Sequence, residues 1–209
     1  MSKKSTGRYG LINLPSKESY YTALGRFTDT FASVEMFMTF SLWHYAKTKL
    51  SIARSVFSGV RVKEAMAHIK RIIESTNADL EIREDAEFIF KQLADITGAR
   101  NDIMHFGTTD LPSGITTVTN ALKATAEDRI TAFVISPKIL DEMTNDLEKI
   151  IIHLRQRHVG RPALRAKYVQ EILLSPWRYK HRVQQRPKRM ERGKSHPPHK
   201  RGPKQPPQP

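Results

Sequence analysis

One short run of this chain combines a titratable group, a permanent cation and an orienting amide: Arg100-Asn101-Asp102-Ile103-Met104-His105. A free imidazole titrates near pH ~6.5 and so relays protons at neutral pH. A guanidinium presents planar donors that match a phosphoryl group. Asn101 and His105 are four apart and share a helix face, where the amide can orient the ring. Arg100 is about 7.5 Å along the helix from His105, a gap that its long side chain largely closes. Of the eight histidines, only His105 has an arginine five positions earlier. Such a set suits proton transfer around a phosphate.

Arg100 also breaks a pattern. Ile89, Leu93, Ile96 and Ile103 form an apolar stripe, and position 100 belongs to it. An arginine in a core slot is costly unless it has a partner or a task, or snorkels to the surface. Gly98 and Ala99 are small enough to let another backbone approach. The competing constellations are weaker. His153 and His158 sit beside Arg155 and Arg157, poor company for a metal cation, and His196 and His199 lie in the basic tail. His44 and His68 read as ordinary histidines. Asp110, Glu127 and Asp128 lack metal-ligand spacing. A chain with no cysteine has no disulfide framework, zinc ribbon or thiol nucleophile. The absence of a Gly-rich phosphate loop argues against an ATPase or kinase. No metal and no cofactor is expected.

The elements that position these residues are mainly helical. Tyr20, Leu24, Phe27, Phe31, Val34, Met38, Leu42 and Tyr45 recur at spacings of three and four, predicting one long helix over 16–50. Phe37 and Phe40 widen its apolar face toward a second neighbour. A helix is expected at 61–76, ending near Asn77. Another is expected at 79–105, opened by Asp79, Glu81, Glu84 and Asp85 and stopped by Gly107. Two β-like runs, 115–122 and 130–135, read as a hairpin. Ser136-Pro137 supplies a cap and first-turn proline for a last helix carrying Leu140, Met143, Leu147, Ile150 and Leu154, which Gly160 closes. The fold expected is a mainly α bundle of four to five helices with a small β-hairpin insertion.

Charge divides the chain. Its 209 residues carry Lys+Arg 35 against Asp+Glu 21, a net +14, and 14 of those cations lie from Gly160 onward against two acids, Glu171 and Glu191. Nine of the 12 prolines lie there too. A flexible arm is therefore expected at 1–15, one helical domain at 16–160, and a basic Pro-rich tail at 161–209 that is disordered past about Arg178. A short helix over 162–174, with Leu164, Tyr168 and Ile172 as its apolar stripe, would pack back on the domain. An anionic partner follows from the charge, with RNA held by Arg178, Lys180, Arg182, Arg186, Lys188 and Arg189. Trp177, Tyr179 and Tyr168 are candidates for base stacking. No run is long enough to span a bilayer and none has signal-peptide form, so a cytoplasmic protein away from membranes is expected.

Arg100-Asn101-x-x-x-His105 near the end of a long helix, with Gly107 just beyond, resembles the Arg-polar-x3-His signature of the HEPN superfamily (higher eukaryotes and prokaryotes nucleotide-binding domains). The likeness covers roughly 16–160; the hairpin and the tail lie outside that family's common core. It implies a metal-independent endoribonuclease in which Arg100 and His105 are catalytic and Asn101 supports them. The ribose 2′-OH would attack the adjacent phosphate and leave a 2′,3′-cyclic phosphate and a 5′-OH. It further implies a homodimer through the motif helix, a toxin or phage-defence role, and an antitoxin or other regulatory protein as partner. Two alternatives stay open: a non-catalytic module binding RNA or protein through its tail, and a basic DNA- or ribosome-associated helical protein.

Overall fold

The computed structural model describes residues 15–110, 116–121, 124–130, 132–159 and 167–180. Helix α1 (Pro15–Ala46) buries Tyr20, Ala23, Phe27, Phe31, Val34, Met38 and Leu42 along one stripe. It ends four residues before the expected boundary. Lys47 takes a left-handed backbone (φ 46°), and the chain turns into a short helix, α2 (Leu50–Phe57), within what the sequence pattern makes one helix and a linker. Neither Gly nor Pro marks this break. Helix α3 (Val62–Ser75) and helix α4 (Leu80–Phe106) form an antiparallel pair around Asn77, also left-handed at φ 48°. Lys70 reaches Glu87 across that pair at 3.3 Å.

Gly107 terminates α4 with φ 66°. The insertion that follows is a three-stranded antiparallel sheet rather than a bare hairpin: β1 (Thr109–Asp110), β2 (Thr116–Thr119) and β3 (Ala132–Ile135) in that order. Val118 and Ile135 fix it to the bundle by burial, and the Lys17–Asp110 ion pair ties β1 to the start of α1. Helix α5 (Pro137–His153) starts where the Ser136-Pro137 cap places it, with Ser136 Oγ accepting from Ile139 N–H. Leu140, Met143, Leu147, Ile150 and Leu154 are all fully buried.

Cross-helix partners set directions. Arg26 meets Asp141 and Tyr45 meets His158, so α1 and α5 run parallel. Asp85 meets His153 and Gln92 meets Asp146, so α4 runs against α5. The two faces of α1 pack on α5 and α3, as its widened apolar surface requires.

Helix α6 (Lys167–Leu174) packs back on α5 and buries Val169. The following segment, up to Lys180, is anchored on the bundle. Asp146 accepts hydrogen bonds from the backbone N–H groups of Arg178 and Tyr179, at 2.9 and 2.8 Å. Gln92 Nε2 donates to the carbonyl of Tyr179, and buried Lys149 donates to that of Ser175. Trp177 stacks on Phe88 with centroids 4.8 Å apart, and Lys149 Nζ lies 4.3 Å from the indole centre. A composition rich in Arg, Lys and Pro hides this strap, because its anchor is backbone hydrogen bonding to one buried carboxylate. The arm at 1–14 and the tail from 181 onward lie outside the described residues.

Candidate functional site at the C-terminal end of helix α4

Arg100, Asn101 and His105 lie on the last two turns of α4, at the end of the bundle that carries the sheet. Asn101 and His105 are exposed, and Arg100 is half-buried. Ile96, Ala99 and Ile103 hold the opposite face of this stretch in the core. Arg100 reaches its apolar slot without a second chain: its guanidinium lies 5.3 Å from the centre of the Phe31 ring on α1. That face-on contact gives the cation a partner while leaving its N–H edge available for hydrogen bonding.

The amide also serves a different neighbour. Asn101 Oδ1 accepts from Arg100 Nη1 at 3.2 Å, so it orients the guanidinium. Among the described residues His105 has no hydrogen-bonding partner, and its ring is open to solvent. Gly98 is exposed, with nothing within 4 Å of where a Cβ would stand. The surface Ala94, Gly98, Asn101, His105 is thus low, polar and accessible along one side of α4.

The expected RNA contacts divide. Arg178 and Lys180 are exposed on the strap, beside Gln92. Gln92 is eight residues, about 12 Å, along α4 from Arg100. Arg182, Arg186, Lys188 and Arg189 lie outside the described residues. Trp177 and Tyr179 are committed to the core of the strap, so they are not stacking platforms, which corrects that expectation.

The most concentrated polar chemistry lies elsewhere, at the opposite end of α4. Buried Asp85 accepts from His153 Nδ1 at 2.8 Å and from His158 Nε2 at 2.9 Å. Tyr45 Oη stands 2.6 Å from His158 Nδ1, and Arg157 Nε is 3.5 Å from Asp85. In a regular α-helix, residues five apart lie about 140° apart and cannot share one acceptor. The turn Leu154–His158 is a π-helix, whose wider winding brings His158 round to the side of His153. Burial by itself opposes ionisation of Asp85, but the hydrogen bonds and charge of His153 and His158 outweigh it and hold the carboxyl well below the usual range. Burial, then the Asp85 charge, pushes the Tyr45 phenol up to about 12. Both Asp85 oxygens are occupied by imidazoles at hydrogen-bond distance. Among the described residues no group of His, Asp and Glu is spaced to hold a metal ion.

Two histidines five apart are the one trace of this network in the sequence, and the arginines beside them mask it. No helix among the described residues is long and apolar enough to cross a membrane. Comparison with known proteins found no matching family model, no matching curated protein and no matching solved structure.

Proposed function

We propose that the chain is a metal-independent endoribonuclease whose catalytic residues are Arg100 and His105, in line with its resemblance to HEPN domains. The observation that carries this reading is the pairing of an accessible imidazole with an anchored guanidinium on one helix end. His105 is exposed, while Arg100 is fixed by Phe31 on one side and Asn101 on the other. A guanidinium held in this way is preorganised for the extra charge of a pentacovalent phosphoryl group, where one donor contributes about 3–4 kcal/mol. An imidazole in reach of the same phosphate takes the 2′-OH proton or returns one to the leaving 5′-oxygen, worth roughly 10²–10⁴-fold. The 2′-oxygen bonds to phosphorus as the P–O5′ bond breaks, leaving a 2′,3′-cyclic phosphate and a 5′-OH. Two such helix ends facing each other in a homodimer supply an acid and a base to one cleft. The basic strap and tail, beginning with Arg178 and Lys180, would hold RNA near it. A toxin or defence role with a restraining partner protein fits such an activity.

One observation favours a second reading. Among the described residues His105 has no partner to fix its tautomer, which suits a non-catalytic RNA- or protein-binding module. The two separate on single variants. The nuclease reading expects His105→Ala to abolish cleavage with RNA affinity retained. The module reading expects no cleavage from either protein, and loss of affinity when Arg178 and Lys180 are both changed to Glu.

A further inference from the structure

The end of the bundle remote from the motif carries an apolar cleft beside a chain segment that bears only positive charge. The cleft has a volume of about 330 Å³ and lies between the last turns of α1 and helix α2, lined by Phe40, Trp43, His44, Leu50, Ala53 and Val159 among others. Only Ala53 of α2 is buried, while Leu50, Ile52 and Val56 are 50%, 49% and 61% exposed. Ile52 and Val56, four apart, form one outward ridge, and Leu50 stands on the rim. From Met36 to Lys63 the sequence holds no acidic residue but carries Lys47, Lys49, Arg54, Arg61 and Lys63, all exposed.

We infer that this cleft is a docking site for an acidic segment of a partner protein that inserts a large apolar side chain between α1 and α2. The shape selects the occupant. A recess lined by Phe40, Trp43 and Leu50 takes an apolar side chain, whereas a flat lipid surface would meet the outward ridge of Ile52 and Val56. Exposed Lys47 and Lys49, which flank the lining residues Thr48 and Leu50 in the chain, select carboxylates on the same segment. Trp43 is twelve residues, about 18 Å, along α1 from Phe31, so an occupied cleft leaves Arg100 and His105 open. This inference stands independently of the ribonuclease reading.

The test is selection of a phage-displayed random dodecapeptide library on the immobilised full chain, followed by fluorescence-anisotropy titration of the enriched peptides as synthesised. Enriched peptides are expected to combine Asp or Glu with Phe, Leu or Trp. Their affinity should fall tenfold or more in Leu50→Asp and, separately, in Lys49→Glu, while RNA affinity stays unchanged. The milder Ile52→Ser, checked with the others by circular dichroism and thermal unfolding, covers a folding defect in Leu50→Asp. No enrichment, or peptides that bind all three variants as well as the wild type, overturns the inference, since the basic tail alone would then explain capture. Co-sedimentation with phosphatidylserine-containing vesicles that is lost in the same variants, with peptide binding unchanged, overturns it in favour of a membrane contact.

Discussion

The guanidinium of Arg100 lies 5.3 Å over the Phe31 ring, which converts a misplaced core cation into a fixed surface donor. Such a contact contributes about 0.5–2 kcal/mol. Arg100→Ala should therefore lower stability by that amount and abolish cleavage. Arg100→Lys retains the charge but loses the planar fork, so it should unfold within a few degrees of the wild type while cleaving RNA on the order of 10²-fold more slowly. Thermal unfolding beside a cleavage time course checks both. Equal losses of stability and activity in the lysine variant would make Arg100 a purely structural residue.

Asp85 is the keystone of the other end. Removing one member of a buried charged set leaves the rest unpaired, at a cost of roughly 3–5 kcal/mol. Asp85→Ala should lose about that much by chemical denaturation at pH 7.

The same carboxylate sets a pH dependence. Its folded pKa is lowered by His153 and His158, so the unfolded chain takes up the proton first as pH falls. The stability it contributes is present above about pH 4, the unfolded carboxylate range, and is lost as pH drops toward the folded value. In an Asp85→Asn variant this acid-limb contribution is absent. The gap between wild type and variant should be present above pH 4 and narrow progressively below it. A gap that widens below pH 4 would contradict the assignment.

The strap is held chiefly by Asp146, with Lys149 beneath it. Asp146→Ala leaves the N–H groups of Arg178 and Tyr179 unmet, a loss of about 1–3 kcal/mol. Trypsin should cut after Arg178 slowly in the wild type, where Tyr179 is buried, and much faster in this variant. Mass spectrometry of early fragments reads the difference. Equal early cleavage after Arg178 in both would show that the strap is not docked in solution.

Lys47 occupies a left-handed position that glycine takes without strain. Lys47→Gly should raise stability by about 0.5–1 kcal/mol in urea unfolding. A decrease instead would indicate that α1 continues through Lys47.

These residues also mark what the sequence made legible. Spacings of three and four exposed the stripes of α1, α3, α4 and α5, because burial of one helix face leaves a periodic trace. The Ser136-Pro137 cap and the stop at Gly107 were legible because cap and left-handed positions select those residue types. The break at Lys47 was not, since a left-handed lysine is dictated by packing on either side. Clustering of Asp85, His153 and His158 was equally hidden, because α-helical spacing separates residues that a π-turn brings together. Arg100 was legible as an anomaly, but its partner Phe31 lies 69 positions away on another helix. The strap was concealed by its charged composition.

The central claim is that His105 performs the proton transfer of RNA cleavage. Purified wild-type and His105→Ala proteins, incubated with total RNA in EDTA, would be compared by mass spectrometry of the product termini. The account predicts 2′,3′-cyclic phosphate and 5′-hydroxyl ends with the wild type alone. Equal cleavage by both proteins, or intact RNA with both, would contradict it.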